Sequence, residues 1–181
     1  MAFDEQRNRF IETYWSKYGN DIWYHGDIVF VDPADGLWYI LGRADDIIKA
    51  SGHRIESTEI ECAITSHNAV AEVAVIGMPD RIIGESVTAY IVLKKPSPQP
   101  EIEGLEDEIV KIVENLVGKF ACPKNIIFVK DLPTTRTGKL VRRIIKAKAL
   151  GEKLGYQDLS AIENPESLKY IVPSFGSVNS S

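Results

Sequence analysis

The sequence predicts an α+β fold: a small mixed sheet of about three strands, flanked by helices and preceded by a β-hairpin. Three observations carry this. β-branched runs of strand length lie at 71–78, 86–94 and 125–130. Segments of helical period lie before, between and after them, at 57–66, 105–116 and 140–150. Two further apolar runs, 23–31 and 37–42, are joined by Asp32-Pro33-Ala34-Asp35-Gly36, whose Asp, Pro and Gly supply the dihedrals of a tight turn. Helix, strand, strand, helix, strand, helix is an α+β order rather than a wound α/β one.

Each element has a local reason. At 3–18, Phe10, Tyr14 and Trp15 recur at roughly helical spacing among charges. The stretch 43–54 packs charges and glycines around a very short apolar centre, which suits a functional loop or a short ribbon. Thr58 followed by Glu61 resembles a capping box at the start of the next helix, and Glu59 sits where the helix dipole favours an anion. Pro79, Asp80 and Gly84 separate the first two sheet strands, and 96–100 is a Pro-rich loop. Leu105, Ile109, Ile112, Val113 and Leu116 recur at i, i+4, i+7, i+8 and i+11, with Glu106, Asp107 and Glu108 in the first turns. Pro133 to Lys139 is a hydroxyl-rich loop that opens into the 140–150 helix, and the segment after 170 is expected to be disordered.

Composition bounds the function. With 181 residues, 20.2 kDa, 44% hydrophobic and 26% charged, the chain is one domain, or one plus part of another. The formal net charge of -5 argues against a dedicated nucleic-acid binder. The balance is uneven, however: Arg136, Lys139, Arg142, Arg143, Lys146 and Lys148 fall in 132–151 without an acid. The reverse holds at 101–114, with six acids and one Lys. No apolar run is long enough to span a bilayer, and the amino end lacks a signal-peptide pattern, so the expectation is no membrane and a cytoplasmic setting. Cys62 and Cys122 are read as buried free thiols of a reducing compartment.

Several residues are candidates for chemistry. Gly138-Lys139 at the mouth of a helix invites comparison with a phosphate-binding P-loop, but Pro133 stands where its first Gly should be and Leu140 where its Ser or Thr should be. On composition alone, Lys139 is an ordinary solvated lysine. Asp27 follows Gly26, and its carboxylate is suited either to a ribose diol or to ending a strand. Asp45 and Asp46 are adjacent and point apart, which disfavours paired acid/base work. His53 and His67 lack partners at ligand spacing, so no metal site is assigned.

Together these pieces resemble the carboxyl-terminal portion of the AMP-forming acyl-CoA synthetases, the adenylate-forming superfamily, and most closely its acetyl-CoA synthetase branch. Gly26-Asp27 resembles the end of an aromatic-x-[ST]-G-D motif. Gly42-Arg43-Ala44-Asp45-Asp46, Gly52-His53-Arg54-Ile55 and Glu59-Ile60-Glu61 resemble the hinge motif, and Pro133 to Lys139 with Arg142-Arg143 the terminal P-x-x-x-x-G-K motif. The resemblance runs from about Asp4 to Ile171 and reverses the odds on Lys139. It implies activation of a short carboxylate with ATP to an acyl-adenylate, then transfer to CoA with release of AMP. It also implies roles: Lys139 as the adenylation lysine, Asp27 on the ribose hydroxyls, Arg43 near the nucleotide phosphates, Asp45 as hinge, Ser51 and Gly52 along the pantetheine path, and Arg54 near nucleotide or CoA phosphates.

The organisation so implied is 1–42 as the tail of a large amino-terminal domain, 43–56 as hinge and ribbon, 57–150 as a small catalytic lid domain and 151–181 as a partly disordered tail. Two positions depart from the pattern. Glu114 stands where an arginine often meets the CoA 3'-phosphate, leaving Lys111 or Lys119 to replace that contact, and His25 replaces a Thr or Ser. The partner expected is the large adenylation domain, which would hold ATP, Mg2+ and the acyl pocket, so the chain alone is expected to be inactive. Lys139 also resembles the lysine whose acetylation silences the family, which implies a lysine acetyltransferase as a partner. The competing reading is a non-enzymatic module that uses 136–148 to bind nucleic acid or an acidic partner; its weakness is that alternating Ile and Lys or Arg normally marks one buried and one solvated helix face.

Overall fold

The β-branched runs pair into sheets as their composition requires. The computed structural model describes residues 2–19, 21–94 and 104–172. The chain divides into two compact units, Met1–Asp45 and Asp46–Ser181.

In the first unit, helix α1 (Ala2–Tyr14) is followed by strands β1 (Asp27–Val31) and β2 (Trp38–Arg43), paired antiparallel from Asp27↔Arg43 to Val31↔Trp38. The turn closes as its residues dictate: the Asp32 carboxylate accepts the Ala34 N–H at 2.8 Å and that of Asp35 accepts the Leu37 N–H at 2.9 Å. Strand β1 begins at Asp27 rather than near Trp23, because its partner strand ends at the opposing Arg43. Instead Trp23 packs on Tyr14 with ring centroids 6.1 Å apart. Within this unit Phe30, Trp38 and Ile40 are 50%, 72% and 73% exposed, so the two-stranded sheet has no core of its own.

The second unit holds a five-stranded mixed sheet. Strands β5 (Val70–Asp80) and β6 (Gly84–Leu93) form a long antiparallel pair, and β7 (Asn125–Val129) runs parallel to β6. These are the three expected strands. The other two are β3 (Ile47–Ala50) and β4 (His53–Glu56), a ribbon that joins β6 through Ala50↔Gly84.

Alternation along β5 assigns the two faces of the sheet. Val73 and Val75 face α2 (Ser57–Thr65) and α3 (Leu105–Leu116), in a core with Ile60, Ile64, Ile109 and Val113. Ala74 and Ile76 belong to a second cluster with Tyr90, Leu132, Ile171 and the Ile145 and Ala149 of α4 (Arg142–Ala149). Each fully buried Ile or Val contributes about 1.5–3 kcal/mol.

Two expectations are revised. Thr58 and Glu61 form no capping box: the residue before α2, Glu56, makes no side-chain cap, and the Glu61 carboxylate accepts the Val75 N–H at 2.9 Å instead. Cys62 is exposed and Cys122 half-buried, so neither free thiol is a core residue. Residues 151–172 are folded: α5 (Tyr156–Ser160) and a 3-10 helix (Pro165–Tyr170) set Ile162 and Leu168 against Ile144. The segment expected to be disordered lies, from 173 onward, outside the described residues, as does the Pro-rich loop at 96–100.

The β5–β6 turn makes a pH prediction. Asp80 accepts the Lys124 ammonium at 2.8 Å and the N–H groups of Ile82 and Ile83. The lysine first, and then the two amides, hold its carboxyl down to about 2. A depressed folded-state value means stability that is fully present above the unfolded range near 3.9 and lost as pH falls through about 2. Asp80→Asn is therefore expected to flatten the acid limb of a urea-midpoint profile over that window; an unchanged limb would show the pairing to be without effect.

Candidate functional site

The candidate residues fall into three groups. In the first unit, the β1–β2 register sets Asp27 opposite Arg43. The guanidinium donates to the Asp27 carboxylate at 3.2 Å, to the His25 carbonyl at 3.2 Å and to the Asp45 carboxylate at 3.0 Å. His25 Nδ1 lies 2.5 Å from the other Asp27 oxygen. Partial burial opposes the charge on Arg43, but the bond to Asp45 and the two carboxylates outweigh it and raise its pKa. Asp27 is thus held at both oxygens, with lone pairs left over to accept hydroxyl donors.

In the second unit the β3–β4 turn carries Ser51 and Gly52, both at positive φ, 52° and 80°, the pair of left-handed residues a two-residue primed turn needs. Beyond its two chain neighbours, no described atom lies within 4 Å of where a Gly52 Cβ would stand, so within this unit the glycine is required by its dihedral and not by crowding. Ser51 donates its N–H to the Ile83 carbonyl at 2.9 Å, fixing the turn to the β5–β6 loop. Beside it the His53 ring stacks on Phe120, centroids 4.3 Å apart and 9° from parallel, and Arg54 is exposed.

The third group is the loop of Lys139. Thr134 and Leu140 form an antiparallel bridge, Gly138 N–H bonds the Thr135 carbonyl at 2.8 Å, and Thr135 N–H bonds the Lys139 carbonyl at 2.9 Å. Gly138, at φ +77°, occupies the left-handed position that closes this small hairpin. The Thr135 hydroxyl accepts the Lys139 N–H at 3.1 Å and meets the Thr137 hydroxyl at 3.0 Å. The backbone under Lys139 is therefore fixed while its side chain is exposed, and among the described residues its ammonium makes no ion pair.

The basic stretch that follows is different. Arg142 is half-buried in an ion cluster: it donates from Nε to Glu61 at 2.8 Å, from Nη2 to the second Glu61 oxygen, and reaches Asp46 at 3.5 Å. The hydrogen bond to Glu61, more than burial opposes it, raises the Arg142 pKa. Arg143 pairs with Asp158 at 2.5 Å and Lys146 with Glu85 at 2.7 Å. Sequence reasoning missed Glu61 and Asp46 as partners of Arg142, since a glutamate on the first turns of a helix carries the same local signal whether it caps or bridges. Among the described residues no three of His, Cys, Asp and Glu are grouped to hold a metal ion, and no helix is long and apolar enough to cross a membrane.

Residues 59–139 match the family described as the AMP-binding enzyme C-terminal domain, from the first turn of α2 to Lys139. An acetyl-coenzyme A synthetase of Methanothrix thermoacetophila is 46% identical over 173 residues, 94% of this chain and 26% of that protein. The 59–139 stretch is similar to an AMP-binding enzyme C-terminal domain. The chain's similarity is to acetyl-CoA synthetases, of which the matched Methanothrix protein is about four times longer than the aligned share, so the chain spans about a quarter of the length of such relatives. In fold, the chain resembles acetoacetyl-CoA synthetase from Streptomyces lividans with a TM-score of 0.75 at 23% identity, over 93% of this chain and 24% of that one. An ATP-bound RpMatB-BxBclM chimera is 34% identical with a TM-score of 0.60, over 75% of this chain and 26% of the chimera.

Proposed function

We propose that the chain is the mobile catalytic portion of an acid–CoA ligase that activates a short carboxylate, acetate by its similarities, with ATP and passes the acyl group to CoA. The observation that carries this reading is Lys139, an exposed ammonium free of ion pairs among the described residues, on a hairpin closed by backbone hydrogen bonds. Carboxylate attack on the α-phosphorus forms a C–O–P bond and breaks the bond to the β-phosphate, and pyrophosphate leaves with the electron pair. Two anions must meet in that step, and a preorganised cation between them lowers the barrier. In the second step the CoA sulfur attacks the acyl carbon, AMP leaves with the shared oxygen, and the thiol proton passes to solvent.

The remaining roles follow the motifs. Asp27 accepts the ribose hydroxyls, and Arg43, tied to Asp27 and Asp45, meets the nucleotide near its phosphates. Asp45 is the hinge, an assignment supported by the unit boundary after it. Ser51 and Gly52 border the pantetheine path, and Arg54 stands near nucleotide or CoA phosphates. Residues 1–42 complete a large amino-terminal adenylation domain, which the exposed Phe30, Trp38 and Ile40 would pack against and which would hold Mg2+. The setting proposed is the cytoplasm, and a lysine acetyltransferase acting on Lys139 would silence the site by removing its charge. The nucleic-acid reading loses support, because Arg142, Arg143 and Lys146 are each paired with a carboxylate.

The test is direct. The chain alone is expected to form no acyl-CoA from acetate, ATP and CoA. Joined to its large domain, the same residues should yield acetyl-CoA, AMP and pyrophosphate in equal amounts. ADP in place of AMP would overturn the reading.

A further inference from the structure

Lys139 acts from a loop, and a loop positions a charge only as well as it is itself held. The base of that hairpin, 131–134, is not held by the sheet or by α4 alone. It is gripped from thirty residues downstream by the side chain of Asn164. Asn164 Oδ1 accepts the Thr134 N–H at 3.0 Å and the Thr134 hydroxyl at 3.4 Å, and Nδ2 donates to the Leu132 carbonyl at 2.9 Å and to Asp131 at 2.6 Å. The amide orientation is dictated by its partners, since the Thr134 N–H only donates and the Leu132 carbonyl only accepts.

Asn164 is itself fixed. Its carbonyl accepts both the N–H of Ser167, at 2.9 Å, and the hydroxyl of that buried serine, at 2.7 Å. The adjoining Glu163 N–H donates to the Thr134 carbonyl at 2.8 Å. Ile162 and Leu168 anchor this strap against Ile144, and Ile171 against Leu132 and Ile145. The strap thus ties the helix after the loop to the strand end before it.

We propose that Asn164 is a positioning residue for Lys139, and that the strap at 162–171 is a working part of the adenylation face rather than a tail; the inference rests on the function proposed above for Lys139. Loss of the four Asn164 contacts leaves the hairpin closed on itself through Thr135 and Gly138 but held at its base only by the Glu163 and Val141 amides. The ammonium would then spend most of its time away from the place where charge develops, whereas the ribbon face of Ser51 and Gly52 would be untouched.

The test uses the intact enzyme, with Lys139→Ala as reference and Asn164→Ala and Asn164→Asp as probes; the aspartate keeps an acceptor for Thr134 but sets a second carboxylate beside Asp131. Both probes are expected to slow acetate-dependent pyrophosphate exchange about tenfold or more, with thioester formation from supplied acyl-adenylate within about twofold of the wild type. In the 181-residue chain, the Thr134 amide should exchange with solvent about tenfold faster in Asn164→Ala. Equal losses in both half-reactions would mean general damage and overturn the inference, as would unchanged exchange in the Asn164 variants beside an inactive Lys139→Ala enzyme. Normal exchange in Lys139→Ala would instead overturn the proposed function itself.

Discussion

In the intact enzyme, Lys139→Ala is expected to lower pyrophosphate exchange into ATP by about 10²- to 10³-fold, the loss of about 3–4 kcal/mol of transition-state stabilisation typical of one preorganised charge contact. Geometry sets that magnitude: an exposed ammonium on a hairpin fixed by the Thr135, Gly138 and Thr134 bonds loses little order when it meets an anion. A lysine on a slack loop would contribute less. The same substitution should leave thioester formation from supplied acyl-adenylate intact, because the second step needs no charge between a carboxylate and a phosphate. Lys139→Arg separates charge from shape; a planar fork in place of a compact ammonium should restore only part of the rate. Equal loss of both half-reactions would assign Lys139 a structural role.

Glu61→Ala is expected to destabilise the second unit by about 3–5 kcal/mol, the range for breaking a buried ion pair from one side. Two groups lose the Glu61 carboxylate at once. The Arg142 guanidinium, 17% exposed, keeps only the 3.5 Å contact to Asp46, and the buried Val75 N–H loses its acceptor. Glu61→Gln keeps an acceptor for each donor and should cost roughly 1–3 kcal/mol. The three tryptophans, at 15, 23 and 38, all lie in the first unit, so urea midpoints should be read by far-ultraviolet circular dichroism rather than by fluorescence. A Glu61→Ala midpoint equal to that of the wild type would show the guanidinium to be hydrated rather than bridged.

Much of this was legible in the sequence wherever a short window holds the whole signal. The strands at 70–80, 84–93 and 125–129 follow from β-branched composition, α3 from its apolar period, and the Lys139 loop from a motif whose hydroxyls and glycine close the hairpin on themselves. What was not legible depends on residues far apart along the chain. The ribbon at 47–56 has too few apolar residues to read as part of a sheet, and it becomes one only through Ala50↔Gly84. Glu61 looks like a helix cap until Arg142, 81 residues on, is folded beside it. The strap at 162–171 has only Ile162, Leu168 and Ile171 to announce it among Pro, Ser and charges. Its burial exists because Ile144 and Leu132 are there to receive them.

On the proposed function, residues 46–172 bring to the active site the ammonium that adenylate formation needs. The most direct measurement is acetate-dependent exchange of pyrophosphate into ATP by the intact enzyme and by the same enzyme truncated after Asp45. The expected result is exchange that falls by about 10²-fold or more on truncation. Exchange at the intact rate would place adenylate formation wholly in the large domain and leave Lys139 without a part in it.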